Sequence, residues 1–314
     1  MTNLKSTNPK SIAILGAGAW GTGLASIAEA NGHRVSIWSR HGSLTLARAV
    51  EDADIIVCAI AMKGVREVAT LLQSLPIPPE AIFVTATKGL EPETISTPSQ
   101  IWQATFPGHP VVVLSGPNLS KEIEMKLPAA TVVGSRSATS AEFVQLVFSS
   151  SRFRVYTNLD PLGVELGGTL KNVIAIAAGA CDGLQLGTNA KAALVTRGLM
   201  EMVRVGVSWG AKSETFYGLS GLGDLLATCN SSLSRNYQVG YQLAGGDKTL
   251  AEILTDLKGT AEGVNTCSVL VRAKQQYISI PITEQVYRVL QCEISPRQAL
   301  EELMLRDIKP EYYD

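Results

Sequence analysis

The sequence has few of the residues that build metal sites and disulfide frameworks. Its 314 residues include only three histidines, and its five cysteines are odd in number and far apart along the chain. This spacing excludes a disulfide scaffold and the common zinc patterns. We therefore expect no metal site and a reducing, cytoplasmic environment.

The chain also lacks an excess of one charge and a long apolar run. Its 27 Lys and Arg residues almost balance 28 Asp and Glu residues, which gives a formal net charge of -1. No apolar run approaches the roughly 20 residues of a membrane span, and the polar N-terminal segment does not have the pattern of a signal peptide. These features predict no nucleic-acid partner and no membrane span, so an anionic small molecule would need a local basic cluster.

The first half of the chain alternates short apolar runs with helical patterns. Continuous apolar runs, typical of strands buried on both faces of a parallel sheet, lie at 11–15, 34–38, 54–60, 81–87, 111–116, 129–133 and 153–157. Helical patterns lie between several of them, at 22–30, 65–75 and 138–148. This order predicts an α/β domain with a Rossmann-type, doubly wound sheet.

The pattern changes after Asp160–Pro161. Strand-like runs almost disappear there, and long helical patterns rich in alanine, leucine, methionine and glycine follow. Two domains are also the better expectation for a chain of this length. We predict an α/β domain over residues 1–160 and a mostly α-helical domain over residues 161–314.

The first apolar run leads directly into GAGAWG, in which Gly16, Gly18 and Gly21 fit the pattern G-x-G-x-x-G. Between a strand and a helix, this pattern binds a dinucleotide. The first glycine permits the tight turn, the second lets the backbone approach a pyrophosphate, and the third lets the helix pack closely on the sheet. Dinucleotide binding is therefore the favoured prediction, and a glycine-rich turn without a ligand is the alternative.

The end of the second apolar run bears on which dinucleotide is bound. An NAD enzyme of this type usually has Asp or Glu there, but the sequence reads IWSRH, with no carboxylate. Ser39 and Arg40 have the chemistry to hold a 2′-phosphate, so NADP(H) is favoured over NAD(H). In the alternative interpretation, Arg40 is a solvated charge in a loop.

Lys171 stands in an otherwise apolar stretch, GGTLKNVIAIAAGAC. In a helix, Ile174, Ala175 and Ala178 share its face, which indicates a buried or cleft-facing surface. A buried lysine must be paired or lose its proton, and a positioned lysine is a good proton donor. The alternative is a lysine in the first helical turn whose stem reaches water.

Two further segments carry polar residues beside apolar runs. Asp224 follows a glycine-rich loop, so it is either a helix N-cap or a carboxylate that pairs with Lys171. Ser234, Arg235 and Asn236 place a hydroxyl, a guanidinium and an amide side by side, a good set for a phosphate. For Arg235 alone, a solvated helix face is the alternative.

The segment GTAEGVNT, residues 259–266, is predicted to be a polar glycine loop inside a helical region. Glu262 is its only charged residue. Loops of this composition often close over a cofactor.

These segments, in this order, resemble NAD(P)-dependent glycerol-3-phosphate dehydrogenase of the bacterial type over nearly the whole chain. The resemblance rests on GAGAWGTGLA, ATKGLE, SGPNLSKE, GGTLKNVIAIAAG, TRGLMEM, GLSGLGDLLATC, SRN and AEGVNT. It implies that sn-glycerol 3-phosphate and dihydroxyacetone phosphate are interconverted with NAD(P), which feeds glycerophospholipid synthesis. Analogy with other helical dehydrogenase domains predicts a homodimer.

The resemblance also implies roles for individual residues. Lys171 would be the general acid or base at the C2 oxygen. The residues implied in substrate binding are Lys88, Gly116, Asn118, Asn172, Asp224, Ser234, Arg235 and Asn236. The residues implied in cofactor binding are Gly16, Gly18, Ala19, Trp20, Gly21, Arg40, Lys88, Ser120, Arg235, Thr260 and Glu262.

The chain departs from the family pattern at three places. Segment 41–53 is shorter than usual, IAMK (60–63) replaces Val-Pro-Ser, and SGPNLSKE replaces Ser-Gly-Pro-Ser-Phe-Ala. The first two changes predict a different adenine side of the pocket and a new phosphate contact at Lys63.

Two rival functions remain at the level of the sequence. One is a related dehydrogenase that acts on a carboxylate substrate, and the other is a non-catalytic dinucleotide sensor. The Ser-Arg-Asn cluster and Lys88 argue for a phosphate substrate, and the presence of Lys171 argues for catalysis.

Overall fold

The computed structural model describes residues 8–257, 259–273, 278–308 and 310–311. Seven strands form one sheet: β1 (Ser11–Leu15), β2 (Arg34–Trp38), β3 (Ile55–Cys58), β4 (Ile82–Thr85), β5 (Val111–Ser115), β6 (Ala129–Gly134) and β7 (Phe153–Asn158). Each lies within or next to a predicted apolar run. Continuous burial on both faces leaves a clear mark in the sequence of inner strands such as β3 and β4, whereas the edge strands β2 and β7 are partly exposed.

The strand order is β2-β1-β3-β4-β5-β6-β7. Every neighbouring pair is parallel except β5 and β6, which run antiparallel. This topology confirms the Rossmann-type, doubly wound sheet, while the antiparallel pair was not predicted. Because β1 lies between β2 and β3, the turn after β1 sits at the point where the strand order reverses, the usual site of ligand binding in such sheets.

Six helices accompany the sheet: α1 (Ala19–Ala30), α2 (Leu46–Val50), α3 (Val65–Gln73), α4 (Pro98–Thr105), α5 (Ser120–Glu124) and α6 (Ala138–Phe148). The bounds of α6 are as predicted. Helix α1 begins before the predicted Thr22, because the extended Gly18 already serves as its N-cap. Helix α3 ends before the predicted Leu75, since Pro76 disfavours helical backbone at the residue before it.

The rest of the chain is almost entirely helical, as predicted. It contains α7 (Pro161–Gly183), α8 (Gly187–Ser208), α9 (Asp224–Cys229), α10 (Arg235–Gly245), α11 (Leu250–Asp256), α12 (Glu262–Ala273), α13 (Pro281–Leu290) and α14 (Pro296–Met304). A π-helical turn, Leu219–Gly223, leads into α9. The prediction of a loop over 259–266 was wrong in part, because α12 begins at Glu262.

Helix α7 is the central helix of this half. Asp160 caps it by accepting a hydrogen bond from the Gly163 N–H (3.0 Å), and burial extends around its whole circumference. It is the one described helix long and apolar enough to cross a membrane by length and composition, and 89% of its most apolar window is buried inside the protein. Burial on all sides is what an apolar core helix requires.

Helices α7 and α10 touch backbone to backbone. A Cβ added to Gly179 would lie 2.0 Å from the Tyr237 carbonyl oxygen, and one added to Gly240 would lie 1.8 Å from the Ile176 carbonyl oxygen. No larger residue fits at either contact, so these two glycines set the distance between the helices.

Candidate active site

A cleft of about 900 Å³ lies between the sheet and the helices around α7. Thirteen of the residues predicted for the site line it: Gly18, Ala19, Trp20, Lys88, Asn118, Ser120, Lys171, Asn172, Ser234, Arg235, Asn236, Thr260 and Glu262. They come from both halves of the chain. The structure therefore gathers residues that are up to 244 positions apart in sequence (Gly18 to Glu262) around one opening.

Five predicted residues lie outside the lining. Gly16 and Gly21 form the turn behind Gly18, and Asp224 lies beneath Lys88 and Lys171. Gly116 is buried against Thr131, with a φ of 156°. Arg40 is at the end of β2, where its Nη1 lies 3.6 Å from Glu67 Oε2.

The glycine turn has a separate steric reason at each position. Gly16 has a φ of 123°, and a Cβ there would lie 2.5 Å from the Ala59 carbonyl oxygen. A Cβ on Gly21 would lie 2.0 Å from the Gly16 carbonyl oxygen, whereas one on Gly18 would meet nothing within 4 Å. Among the described residues no side chain caps α1, so the first N–H groups of this helix are left for a ligand.

We expect Gly18→Ala and Gly21→Ala to differ in effect. The added Cβ of Gly18→Ala points into open space, so the melting temperature stays near that of the wild type while dinucleotide affinity falls at least tenfold, since the methyl group meets the pyrophosphate. Gly21→Ala lowers both the melting temperature and the dinucleotide affinity, because its Cβ would overlap the backbone of the glycine turn. Thermal melts and cofactor fluorescence titrations measure the two effects. Normal affinity in the Gly18 variant would contradict a pyrophosphate at this turn.

Lys171 lies deep in α7. It is residue 11 of the 23 in the helix and its side chain is 7% exposed, so the alternative of a first-turn lysine reaching water is wrong. Its Nζ donates to Thr228 Oγ1 (2.5 Å) and lies 3.0 Å from Asp224 Oδ1. The other oxygen of Asp224 accepts a hydrogen bond from Lys88 Nζ (2.5 Å). The carboxylate thus joins two ammonium groups.

The alternative of Asp224 as an N-cap is also wrong. Gly223 is the N-cap of α9, and Asp224 is the first residue of the helix. Its Oδ1 also accepts a hydrogen bond from Thr228 Oγ1 (3.2 Å), one helical turn later. Thr228 therefore touches both Lys171 and Asp224, and its spacing of four residues from Asp224 is the sequence signal that could have revealed it.

Burial and charge set the protonation of this network. Burial lowers the pKa of Lys171 to about 8; Lys88 acts in the same direction and Asp224 opposes it. Burial alone would raise the pKa of Asp224, but Lys171 and Lys88 together hold it below its usual value. At neutral pH the carboxylate is ionised. The pKa of Lys171 lies close enough to neutral pH for the amine to both give and accept a proton. That is the condition for general acid–base catalysis.

The N-terminus of α10 supplies a second polar group of atoms. Ser234 caps the helix by accepting a hydrogen bond from the Tyr237 N–H (3.2 Å). Asn236 donates to Asn172 Oδ1 (2.9 Å) and accepts from the Gly263 N–H (2.9 Å), so it ties α10 to α7 and α12. A helix N-terminus with these side chains favours an anion.

Two cleft side chains keep polar atoms for a ligand. The Oγ of Ser115 and the Oδ1 of Asn118 are buried, and neither has a hydrogen-bond partner among the described residues. The Nδ2 of Asn118 donates to Thr131 Oγ1 (2.9 Å), which fixes the orientation of the amide. Buried polar atoms are normally paired, so these two oxygens fit a polar ligand in the cleft. Ser115 was not predicted from the sequence.

Glu262 joins the two halves at the cleft. Its Oε1 accepts a hydrogen bond from the Met62 N–H (3.3 Å), and burial raises its pKa. The guanidinium of Arg235 lies against the backbone of Gly259, where an added Cβ would be 1.9 Å from Nη1. The segment from Gly259 to Glu262 thus borders both α10 and the turn at Met62.

Comparisons with known proteins agree along the whole chain. The model of the NAD-dependent glycerol-3-phosphate dehydrogenase N-terminus matches residues 11–46 and 41–141, and that of its C-terminus matches residues 160–301. The chain is 78% identical over 302 residues to the glycerol-3-phosphate dehydrogenase (NAD(P)+) of Trichormus variabilis, which covers 96% of this chain and 98% of the relative. The corresponding enzyme of Synechocystis is 56% identical over 315 residues, covering 100% and 99% of the two chains.

A solved structure supports the same assignment. The crystal structure of glycerol-3-phosphate dehydrogenase from Coxiella burnetii superposes with a TM-score of 0.90 at 34% identity, covering 95% of this chain and 99% of that one. On these matches, the chain belongs to the NAD-dependent glycerol-3-phosphate dehydrogenase family.

Proposed function

We propose that the cleft binds NADP(H) in preference to NAD(H), and that Lys171 exchanges a proton with the C2 oxygen of the substrate. As a member of its family, the chain is an NAD(P)-dependent oxidoreductase that interconverts sn-glycerol 3-phosphate and dihydroxyacetone phosphate. The bound nicotinamide supplies or accepts the hydride. The observation that carries the role of Lys171 is its buried contact with Asp224 and Thr228.

In the direction of reduction, the carbonyl oxygen of the substrate gains negative charge. The protonated Lys171 stabilises that charge and gives its proton to the oxygen, in a cleft where water does not screen the interaction. In the reverse direction, neutral Lys171 takes the proton from the hydroxyl group. Asp224 and Thr228 hold the ammonium in place. Asp224 and Lys88 tune its pKa in opposite directions.

The remaining roles follow the positions of the side chains. Ser234, Arg235 and Asn236 hold the substrate phosphate at the N-terminus of α10, while Asn172, Asn118 and Gly116 shape the substrate side of the cleft. The cofactor lies along the glycine turn, with Ala19, Trp20, Ser120, Thr260 and Glu262 around it and Arg40 at its adenine end. Lys63, which is exposed next to α3, is proposed as a further contact to the cofactor phosphates.

The organisation of the whole chain is part of the same proposal. Strand β7 ends at Asn158 and α7 begins at Pro161, which supports a cofactor domain over residues 1–160 and a substrate domain over residues 161–314. A homodimer is proposed by analogy with other helical dehydrogenase domains. A cytoplasmic location agrees with the five unpaired cysteines.

The decisive experiment follows the oxidation of NADPH and then NADH by the purified protein with dihydroxyacetone phosphate. Turnover with both cofactors, faster with NADPH at equal concentration, supports dihydroxyacetone phosphate as the substrate. It also supports Ser39 and Arg40 as contacts of the 2′-phosphate. Turnover with NADH alone discards the role of Arg40. Absence of turnover with either cofactor contradicts the catalytic proposal.

We expect Arg235→Ala to raise the KM for dihydroxyacetone phosphate roughly 10- to 100-fold, the effect of losing a charge-assisted hydrogen bond to phosphate. The slow reduction of unphosphorylated dihydroxyacetone should change much less. Arg288→Ala is a matched control, because Arg288 forms an ion pair with Glu302 on helices that do not line the cleft. An equal rise in KM for both ketones would show that Arg235 does not bind the substrate phosphate.

A further inference from the structure

We propose that Glu67 limits the preference for NADP(H), by holding Arg40 and by opposing the 2′-phosphate. This inference rests on the proposed function, in which Arg40 faces the adenine end of the cofactor. The carboxylate that NAD-binding proteins of this fold carry at the end of their second strand is absent here. The structure brings a carboxylate beside Arg40 from a different element, helix α3.

The contact crosses the end of β1. Strand β1 pairs with β2 on one side and with β3 on the other. Arg40 lies just beyond β2, and Glu67 lies in the first turn of α3, the helix that follows β3. The 3.6 Å contact between them therefore spans the position where β1 leads into the glycine turn.

The end of β2 is fixed against that turn. The Gly16 N–H donates a hydrogen bond to the Trp38 carbonyl oxygen (2.8 Å), and the Gly42 N–H donates to the Ser39 carbonyl oxygen (3.0 Å). These two bonds hold the short segment that carries Arg40 close to the proposed pyrophosphate site. A 2′-phosphate that reaches Arg40 therefore also comes near Glu67.

Two neighbouring arginines have other partners. Arg66, beside Glu67 in sequence, binds both carboxylate oxygens of Glu91 (2.5 Å each). Arg48 of α2 pairs with Glu51, the C-cap residue of the same helix. Within the described part of the chain, Glu67 therefore has Arg40 as its ion-pair partner.

The two cofactors meet this pair differently. The 2′-hydroxyl of NAD(H) is neutral, so it leaves the Arg40–Glu67 contact intact. The 2′-phosphate of NADP(H) carries a charge of about -1.5 to -2, so it must take Arg40 away from Glu67 while it lies near a like charge. Both side chains are more than half exposed (57% and 54%). Solvent screening therefore limits the expected effect to several-fold.

The test compares kcat/KM for NADPH and for NADH in the wild type and in Glu67→Gln, with saturating dihydroxyacetone phosphate. We expect the NADPH-to-NADH ratio to rise roughly 3- to 10-fold, through a lower KM for NADPH. The rise should shrink at high ionic strength, as an effect between exposed charges does. Glu51→Gln is the matched control, because it removes an exposed, arginine-paired carboxylate that does not contact Arg40.

Arg40→Ala separates this inference from the proposed function. If Arg40→Ala weakens NADPH selectively and Glu67→Gln leaves the ratio unchanged, Arg40 keeps its role and the inference about Glu67 is overturned. An equal change in kcat/KM for NADPH and for NADH in Glu67→Gln overturns the inference about Glu67 as well. If Arg40→Ala leaves the KM for NADPH unchanged, both assignments fail, although turnover of the substrate would still support the catalytic site.

Discussion

Replacement of Lys171 by alanine should lower kcat by roughly two to four decades, the usual effect of losing a proton-transfer group, and leave dinucleotide affinity unchanged. The reason is the position of the ammonium group, which is buried at the cleft while the glycine turn lies on the sheet. The variant keeps a paired carboxylate, because Asp224 still accepts hydrogen bonds from Lys88 and Thr228. Stopped-flow rates and cofactor titrations measure the two quantities separately.

Lys191→Ala is the control for this variant. Lys191 is also a largely buried lysine, and it forms an ion pair with Asp182 (2.6 Å), but it does not line the cleft. It should therefore keep near wild-type turnover. Near wild-type turnover in Lys171→Ala would remove Lys171 as the proton donor, whereas equal losses in both variants would point to damage to the fold.

The second large effect is expected for Asp224→Asn. The wild-type kcat/KM for reducing dihydroxyacetone phosphate should fall as the pH rises through about 8, where Lys171 loses its proton. The kcat/KM for oxidising glycerol 3-phosphate should rise over the same range, because that direction needs the neutral amine. Asparagine removes the charge that favours the protonated lysine, so the pKa of Lys171 falls further and both transitions move to lower pH.

The same substitution should slow reduction at neutral pH by roughly one to three decades, since a smaller fraction of Lys171 then carries the proton that reduction needs. Asp182→Asn is a suitable control, because it removes the carboxylate of a lysine pair outside the cleft. Unchanged pH transitions in Asp224→Asn would show that the titrating group is not Lys171. Loss of activity together with a lower melting temperature would indicate a structural role for Asp224.

Local features were predicted well where the sequence pattern reports burial directly. The apolar runs marked the inner strands, because a strand buried on both faces has few polar positions. The partly exposed edge strands β2 and β7 still carried enough apolar residues to be recognised. The antiparallel pairing of β5 and β6 was not predictable in this way, since apolar runs carry no information about strand direction. The helical start of α12 was missed because Gly259 and Gly263 suggested a loop, whereas Gly263 is in fact buried against Asn172.

The site was predictable where one segment carries its own chemistry. The glycine turn and the polar triplet at the start of α10 are such segments. Contacts between distant segments were harder to predict. The pairing of Asp224 with Lys171 was one of two alternatives, and the bond of Thr228 to Lys171, across 57 positions, was missed. The contact of Arg40 with Glu67 was missed for the same reason, because tertiary packing alone brings the end of β2 and the start of α3 together.

The backbone contact between α7 and α10 limits the length of substrate that the cleft can hold in a reactive position. Lys171 projects from α7, and the residues proposed to bind the substrate phosphate project from α10. Because Gly179 and Gly240 bring the two backbones together, neither helix can slide or move apart without losing that contact. The span from the proton donor to the anion end is therefore fixed by main-chain geometry. A ketone with its phosphate one carbon farther from the carbonyl should bind without placing its oxygen at Lys171.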